Sequence, residues 1–296
     1  MTISLFSLLS LLFACSSNPL ELGLTEEAGA RNIMHYFSSN DLKNWKHEGP
    51  ISWGITSLGL HEENGFLAIT SIQEVRPPTW WEQQYPKVYG YLFDGMNFKA
   101  SSWSIDDKES NRYIDPQSFE GHMWYISPTG YTGDPAKAPK TPIRTESPGR
   151  SVYSDARIAD PSPVRFNEAL HVFASKNGAI IHLVEEGDAL REIHHTPESN
   201  RHFNGVTVPF ATVINGTLWL LAQRQINNRR LPVYSTSEDG IRWSKWQQLA
   251  NIPLHIQACS SPVLGANPMG GWAMFCIEEK GMPQGNSSHP SPNIHP

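Results

Sequence analysis

Short runs of alternating apolar and polar residues, separated by tight polar turns, recur along this chain. Residues 159–175 hold two such runs on either side of Asn167 and Glu168, a pattern typical of a β-hairpin with a two-residue turn. Prolines follow Asp160 closely, and proline fits only at the start or the edge of a strand. The pattern therefore predicts that Asp160 lies where the first strand of the hairpin begins.

The same unit is repeated at nearly regular spacing. Further hairpins are predicted at residues 56–72, 115–126, 207–222 and 260–277, and Asp115 precedes a proline just as Asp160 does. Five such units indicate radial repetition, which is the signature of a β-propeller. Each Asp either points into a shared central funnel or caps the turn before its own strand.

Each blade is predicted to consist of an inner and an outer hairpin. The blades are assigned to residues 56–72 with 88–104, from 113 onward, 160–173 with 179–193, 207–224 with 231–249, and 259–277. Residues 127–150 are rich in Pro, Thr and Gly and are interpreted as a long loop. The last blade lacks an outer hairpin, which residues 32–47 are expected to supply, because a ring of sheets avoids an open edge. The predicted fold is an all-β, five-bladed β-propeller over residues 32–279, closed by N-terminal strands that join the last blade.

A short turn motif accompanies the outer hairpins. Ser39, Asp41 and Trp45 have the same spacing as Ser237, Asp239 and Trp243, and a looser copy begins at Asp94. The hydroxyl and carboxylate oxygens are suited to accept hydrogen bonds from the turn backbone, while the aromatic ring packs against the adjoining strands. The motif is therefore predicted to be a structural turn.

Composition excludes some classes of protein. The chain has 296 residues, of which 39% are hydrophobic and 18% are charged, enough for one sizeable domain. The formal charge of −6 and the lack of a basic stripe argue against a nucleic-acid partner. No apolar run reaches the roughly 18 residues that a membrane-spanning helix needs.

The first 15 residues form an apolar, Ser-rich run that ends in Leu12-Phe13-Ala14-Cys15. This end resembles the cleavage box of a bacterial lipoprotein signal, which implies cleavage before Cys15 and lipidation of its thiol. The absence of Lys and Arg before the apolar run departs from the usual pattern, and an ordinary secretory signal or a core strand are the alternatives. Residues 16–31 would then be a tether, and Ser16 after the cysteine implies the outer membrane. Residues 280–296 are predicted to be a disordered tail.

The other two cysteines, Cys259 and Cys276, lie on either side of the last predicted turn. In an exported protein they are candidates for a disulfide across adjacent strands. Two buried free thiols are the alternative, because cysteine often serves as a small core hydrophobe.

The repeated hairpins, the Asp-Pro pairs and the Ser-x-Asp-x-x-x-Trp turns together resemble the five-bladed glycoside hydrolases of families 43 and 32. The turns are also similar to the Asp box of sialidases, although one residue shorter. The resemblance implies that carboxylates converge on a central funnel, and by motif Asp115 and Asp160 match two of the catalytic positions. The general-acid Glu expected in the next blade is missing, because residues 202–207 read His-Phe-Asn-Gly-Val-Thr. Two Asp, or His202 as the acid, are the alternatives, since glycoside hydrolysis needs both an acid and a base or nucleophile.

Other residues are candidates for binding sugar. Trp80 and Trp81 either stack on sugar faces or anchor their loop, and Trp53 either lines the funnel or packs in the core. Polar residues before the fourth and fifth inner strands either bond sugar hydroxyls or are ordinary loop residues: His202, Asn204, His255 and Gln257. The spacing of His194, His195 and His202 matches no structural zinc pattern, so neither a metal nor a cofactor is predicted.

The sequence thus predicts a carbohydrate-active exported lipoprotein, a monomer whose partners are a glycan and, through the lipid anchor, a membrane. It is expected to bind or hydrolyse glycans in the central funnel. The alternative is a non-catalytic propeller that acts as a binding or scaffold module of the cell envelope.

Overall fold

The computed structural model describes residues 32–279 except for 54, 64, 74–87, 106–113, 121, 127–139, 146–150, 157, 188 and 194–201. The predicted signal (1–15), tether (16–31) and tail (280–296) lie outside the described residues. Within the described ranges, no helix is long and apolar enough to cross a membrane.

The described chain consists of short strands joined by turns. In chain order they are β1 (Asn32–Ser39), β2 (Trp45–Trp53), β3 (Ile55–Glu63), β4 (Phe66–Gln73), β5 (Val88–Phe93), β6 (Phe98–Ile105), β7 (Ile114–Phe119), β8 (His122–Ile126), β9 (Lys140–Thr145), β10 (Ser151–Ala156), β11 (Ile158–Phe166), β12 (Ala169–Lys176), β13 (Ala179–Glu186), β14 (Ala189–Glu192), β15 (Val206–Ile214), β16 (Thr217–Ile226), β17 (Arg229–Ser237), β18 (Gln247–Gln248), β19 (Ser260–Ala266) and β20 (Trp272–Glu279).

These strands form five antiparallel sheets of four strands each. Sheet one consists of β3–β6, sheet two of β7–β10, sheet three of β11–β14 and sheet four of β15–β18. In the fifth, here called the closing sheet, the strand order is β19, β20, β1, β2. The register of β1 on β20 runs from Asn32 opposite Glu279 to Ser39 opposite Trp272.

The first strand of every sheet packs against the first strand of the next. These inner strands are β3, β7, β11, β15 and β19, and β19 in turn contacts β3. Repeated four-stranded meanders whose inner strands contact one another in this order are a propeller architecture. The prediction of an all-β propeller is confirmed.

The predicted long loop over residues 127–150 is wrong in its last part. Lys140–Thr145 is strand β9, and with β10 it supplies the outer half of sheet two. Pro142 obscured the strand, and it stands opposite Ser154 in the pairing of β9 with β10. Proline is rare inside a sheet because it has no N–H to donate, which is why its presence argued against a strand here.

Aromatic rings fill the space between the closing sheet and sheet one. Phe275 lies 5.3 Å from Tyr36 in a stacked arrangement, and it meets Phe93 and Phe98 edge-on at 5.3 and 5.6 Å between ring centroids. Gly265 of β19 allows this close approach, because a Cβ there would lie 2.8 Å from the Leu67 side chain. The inner strand of the closing sheet is thus packed tightly against sheet one.

Cys259 and Cys276 form a disulfide with a Cα–Cα distance of 5.1 Å. Cys259 directly precedes β19 and Cys276 lies on β20, so the bond joins the first two strands of the closing sheet. Of the two alternatives that the sequence left open, the structure therefore contains the paired cysteines.

The turn motif has the predicted structure at all three places. One carboxylate oxygen of Asp41 accepts hydrogen bonds from the backbone N–H groups of Lys43 and Asn44, at 2.9 and 2.8 Å. Asp239 and Asp94 bond their own turns in the same way. The Asn44 N–H, foremost among these donors, lowers the pKa of Asp41 to about 2. The role of this motif as a structural turn is confirmed.

We expect Phe275→Ala to lower the free energy of unfolding by about 3–5 kcal/mol, because removing a buried ring leaves a cavity between two sheets. Urea denaturation followed by tryptophan fluorescence measures the change. Leu254→Ala is the control, since Leu254 is 82% exposed, and it should change stability by less than about 0.5 kcal/mol. Equal stability of Phe275→Ala and wild type would show that the aromatic cluster does not hold the two sheets together.

Candidate functional site

Every inner strand carries a β-bulge near its first residues. Relative to the second strand of the same sheet, one extra residue is inserted between Ile55 and Ser57, Ile114 and Gln117, Ala159 and Ser162, Thr207 and Phe210, and Ser260 and Val263. A bulge bends its strand and re-aims side chains, and bulges are frequent next to active sites. The entry bulges, where the inner strands begin, are therefore the candidate site.

Three of these bulges share an unusual backbone. Asp160, Val208 and Ser261 each precede a proline and adopt φ values of 53°, 54° and 50°. This left-handed conformation is uncommon for residues other than glycine, and for a β-branched valine it is a genuine outlier. Strain of this kind costs of order 1–3 kcal/mol and is concentrated at functional sites.

The Asp-Pro pattern seen in the sequence is thus one version of a repeated Xaa-Pro bulge. Asp115 occupies the bulge of β7 at the same register as Asp160 in β11. Strands β7 and β11 contact each other, so the two aspartates stand at equivalent bulge positions of adjacent inner strands. Asp160 is half-buried, and its Oδ2 atom is shielded from solvent.

Two serine hydroxyls fasten sheet three to sheet four beside these bulges. The hydroxyl of Ser175, which stands opposite Ala159, accepts a hydrogen bond from the backbone N–H of Val208 at 2.8 Å. The buried hydroxyl of Ser162 accepts one from the N–H of Ala211, also at 2.8 Å. The position of Asp160 relative to sheet four is therefore set by direct hydrogen bonds between the sheets.

The third acid that the family resemblance calls for has no counterpart at the equivalent bulges. Val208 stands at this place in β15 and Ser261 in β19. Neither side chain carries a carboxyl group, so the described inner strands beyond Asp160 offer no general acid at the bulge position.

His202, the alternative acid, is held by packing contacts. Its ring stacks on Trp246 with centroids 5.1 Å apart, and its Nε2 lies 3.0 Å from the hydroxyl of Ser235. The indole N–H of Trp246 donates to the carbonyl of His202 at 2.7 Å. These contacts anchor the loop before β15 to sheet four.

The other polar candidates lie on the surface. Asn204 is exposed and joins Ala179 through a backbone bridge. Gln257 is exposed and donates to the carbonyl of Leu254 in its own loop at 3.1 Å. Trp53 is the last residue of β2.

Trp80, Trp81 and Cys15 lie outside the described residues. Their roles in binding or lipidation stay predictions. For Asp115 the structure describes the backbone, in β7, and not the side chain.

Sequence reasoning missed a buried polar cluster in the closing sheet. Glu278 of β20, only 7% exposed, lies with its Oε2 atom 3.1 Å from Nε2 of His35, and Nδ1 of His35 lies 3.0 Å from Nε2 of His47. The cluster joins residues 243 positions apart in the chain. The only signal in the sequence was a charged pair, Glu278 and Glu279, directly after an apolar run.

A surface groove of about 490 Å³ lies on the outer half of sheet three, on β13 and β14, away from the entry bulges. Its lining is Val184, Glu185, Glu186, Arg191, Glu192 and Ile193. Glu192 in this groove accepts a hydrogen bond from the hydroxyl of Tyr153 at 2.8 Å, so its carboxylate links sheets two and three. We therefore assign the candidate site to the bulges and not to the groove.

Comparison with known proteins gives a likeness of fold. No protein family matches the chain, and no curated protein matches it. Similar solved structures include a glycosyl hydrolase from Bacteroides ovatus, with 7% identity and a TM-score of 0.49 over 76% of this chain and 84% of that one. Another is a GH43 endo-arabinanase from Bacillus licheniformis, with 12% identity and a TM-score of 0.46 over 76% of this chain and 93% of that one. At TM-scores below 0.5 these likenesses carry no argument about activity, so function must be argued from the residues of this chain.

We expect His202→Ala to lower the free energy of unfolding by about 1–3 kcal/mol, because it removes an aromatic stack and a hydrogen bond. Chemical denaturation measures the loss. The matched control is the exposed neighbour, Asn204→Ala, which should change stability by less than about 0.5 kcal/mol. Unchanged stability of His202→Ala together with weaker glycan binding would instead show that the ring contacts a ligand.

Proposed function

We propose that this protein is an exported, carbohydrate-active propeller that binds or hydrolyses glycans at the end of the ring where the inner strands begin. In this proposal the five sheets are the blades of one closed ring, and β1 and β2 complete the last blade. The register of β1 on β20 and the contact of β19 with β3 support closure.

The observation that carries the proposal is the equivalent placement of Asp115 and Asp160. Both stand in an Xaa-Pro bulge, at the same register, on inner strands that contact each other. Carboxylates accept hydrogen bonds from sugar hydroxyls, and two that lie close together raise the pKa of one member. If the carboxylates of Asp115 and Asp160 lie that close, one of them could supply the proton that glycoside hydrolysis requires.

The residues at the other bulges favour a second candidate, glycan binding without hydrolysis. Val208 and Ser261 stand at the bulges of sheet four and the closing sheet and carry no carboxyl group, and His202 is engaged by Ser235 and Trp246. A propeller with this arrangement retains acceptors for sugar hydroxyls but has fewer proton donors for a leaving group.

Export and anchoring through Cys15 are part of the proposal. The disulfide between Cys259 and Cys276 supports an oxidising compartment, because disulfides persist outside the cytosol. The Leu12-Phe13-Ala14-Cys15 box supports a lipid anchor, in the outer membrane by the sorting rule for Ser16. A binding module at this place would meet the glycans of the cell envelope.

We expect Asp160→Asn to reduce hydrolysis by about 10²–10⁴-fold if the protein is an enzyme, because a general acid or base is lost. If it is a binder, glycan affinity should fall about 10- to 100-fold through loss of charged hydrogen bonds. Asp115→Asn should act in the same direction. A glycan array and a hydrolysis screen on the same protein measure both outcomes.

The matched control is Glu238→Gln, which neutralises an exposed carboxylate on the turn between β17 and β18. It should leave binding and hydrolysis unchanged. Binding without cleavage would establish the second candidate. A wild type that neither binds nor cleaves any glycan on a broad panel would reject the proposal.

We expect Cys15→Ser to move the protein from the membrane fraction to the soluble fraction. Several acyl chains on one cysteine anchor a protein firmly, and the substitution removes their attachment site. Fractionation of cells followed by immunoblotting measures the shift. Retention of Cys15→Ser in the membrane would show that something other than this thiol anchors the chain.

A further inference from the structure

The polar cluster of Glu278, His35 and His47 lies inside the closing sheet, on three different strands. His35 on β1 is 4% exposed and Glu278 on β20 is 7% exposed, while His47 on β2 is partly exposed. A buried ionisable group is strongly disfavoured unless it is hydrogen-bonded. The ordered contacts Glu278–His35 and His35–His47, at 3.1 and 3.0 Å, satisfy this requirement.

The cluster faces the seam with sheet four. The loop from β18 to β19 brings the ring of His255 to 6.3 Å from the ring of His47. Arg229 holds this loop on sheet four, since its guanidinium donates to the carbonyls of Ile252, Pro253 and Ile256. A change in the charge of His47 therefore acts at the contact between the closing sheet and sheet four.

The same arrangement occurs a second time, in sheet three. Nδ1 of His171 lies 2.8 Å from Nε2 of His182, and Phe173 stands opposite His182 in the strand register. In the closing sheet Phe37 likewise stands opposite His47. His-x-Phe on one strand and His on the next is thus a repeated way to bring two imidazoles into contact. The two copies differ in one respect among the contacts described. His35 contacts the carboxylate of Glu278, whereas His171, at the equivalent position in sheet three, forms a hydrogen bond with the backbone of Phe166.

Two proton arrangements satisfy both of these contacts, Glu278–His35 and His35–His47. When both rings are neutral, Nε2–H of His35 donates to the carboxylate of Glu278, and Nε2–H of His47 donates to Nδ1 of His35. A proton that then binds Nδ1 of His47 breaks no bond, because the Nε2 proton of His47 passes to Nδ1 of His35. The result is an imidazolium at His35 beside an ionised Glu278, with His47 neutral again.

A second added proton cannot be accommodated without breaking a hydrogen bond. With both rings charged, an N–H on His35 and an N–H on His47 point at each other across 3.0 Å, and the contact breaks. We propose that Glu278, His35 and His47 form a one-proton relay that makes the seam between the closing sheet and sheet four sensitive to acid.

Other charged groups at this seam also act on the relay. Glu48 and Glu278 favour the charged form of His47 and oppose the lowering of its pKa, but burial, His35 and His255 outweigh them. The carboxylate of Glu48 is bonded by the hydroxyl of Ser38 and the ammonium of Lys46, at 2.6 and 2.8 Å. From β17, Arg230 forms a two-point ion pair with Glu279 at 3.1 and 2.8 Å. His255 adds a like charge when it is protonated.

The direction of the pH effect follows from His47. Burial lowers the pKa of His47, and the neighbouring His35 and His255 lower it further. A group whose pKa is lower in the folded state stabilises the fold above its unfolded pKa of about 6.5. That stability is lost as pH falls from about 6.5 through the lowered pKa of His47, so the seam should weaken as the solution becomes acidic.

The test counts protons taken up on unfolding, from the dependence of urea stability on pH between about 7 and 5. Glu278→Gln keeps an acceptor for neutral His35 but removes its counter-charge. This variant should take up about one proton more than wild type on unfolding. In His47→Phe the remaining His35–Glu278 pair still binds its proton when folded, so uptake should be about one proton less than wild type.

The matched control is His122→Gln, which removes an exposed histidine on β8, outside the closing sheet, so the differences in uptake that Glu278→Gln and His47→Phe produce should persist in its background. Should Glu278→Gln not fold, NMR titration of the histidine rings of wild type gives a second readout. His35 should then bind a proton at higher pH than His47, in two linked steps. Independent titration of both rings near pH 6.5, or equal proton uptake by wild type and both variants, overturns the relay.

Discussion

Pairing of β1 with β20 is the contact on which the rest of this propeller depends. A sheet edge presents unpaired N–H and C=O groups, and rings of sheets avoid an open edge by bringing the two ends of the chain together. Here the partner strand begins at Asn32, almost the whole described chain away from Glu279. Contacts between residues so far apart in sequence form only after a large loss of chain entropy. Local sequence signals are therefore least able to specify the closing sheet.

The closing sheet therefore gathers several kinds of reinforcement. The Cys259–Cys276 disulfide joins β19 and β20, and the ring of Phe275 packs on Tyr36 and on sheet one. Arg230 of sheet four pairs with Glu279 at the same edge. Within this frame a buried Glu–His–His chain is tolerated, because every member finds a hydrogen-bond partner.

At the entry bulges the backbone conformation recurs while the side chain varies. One backbone device, a left-handed residue before proline, recurs in sheets three and four and in the closing sheet, at Asp160, Val208 and Ser261. Its recurrence shows that the device shapes the strand whatever side chain it carries. Function then depends on which side chain each bulge carries. Among the five bulges, acidic residues occur on two adjacent inner strands, at Asp115 in β7 and Asp160 in β11. A fold hosts many activities because such positions vary on a constant frame.

Local patterns in the sequence determined the strands, their hairpins and the Asp turns at Asp41 and Asp239, because alternation and turn chemistry act within a few residues. They also placed Asp160 at a strand entry. They failed at β9, where a single Pro142 masks a short strand, and they left the pairing of Cys259 with Cys276 open.

Only the tertiary structure decided the contacts between distant segments. The stack of His202 on Trp246, the equivalence of Val208 with Asp160, and the burial of Glu278 against His35 all depend on which sheets become neighbours. Neighbouring sheets are brought together by nondirectional burial of apolar surface, which no local pattern encodes. The polar groups that lie between them acquire hydrogen-bond partners, and with them a role, only once the sheets have packed together.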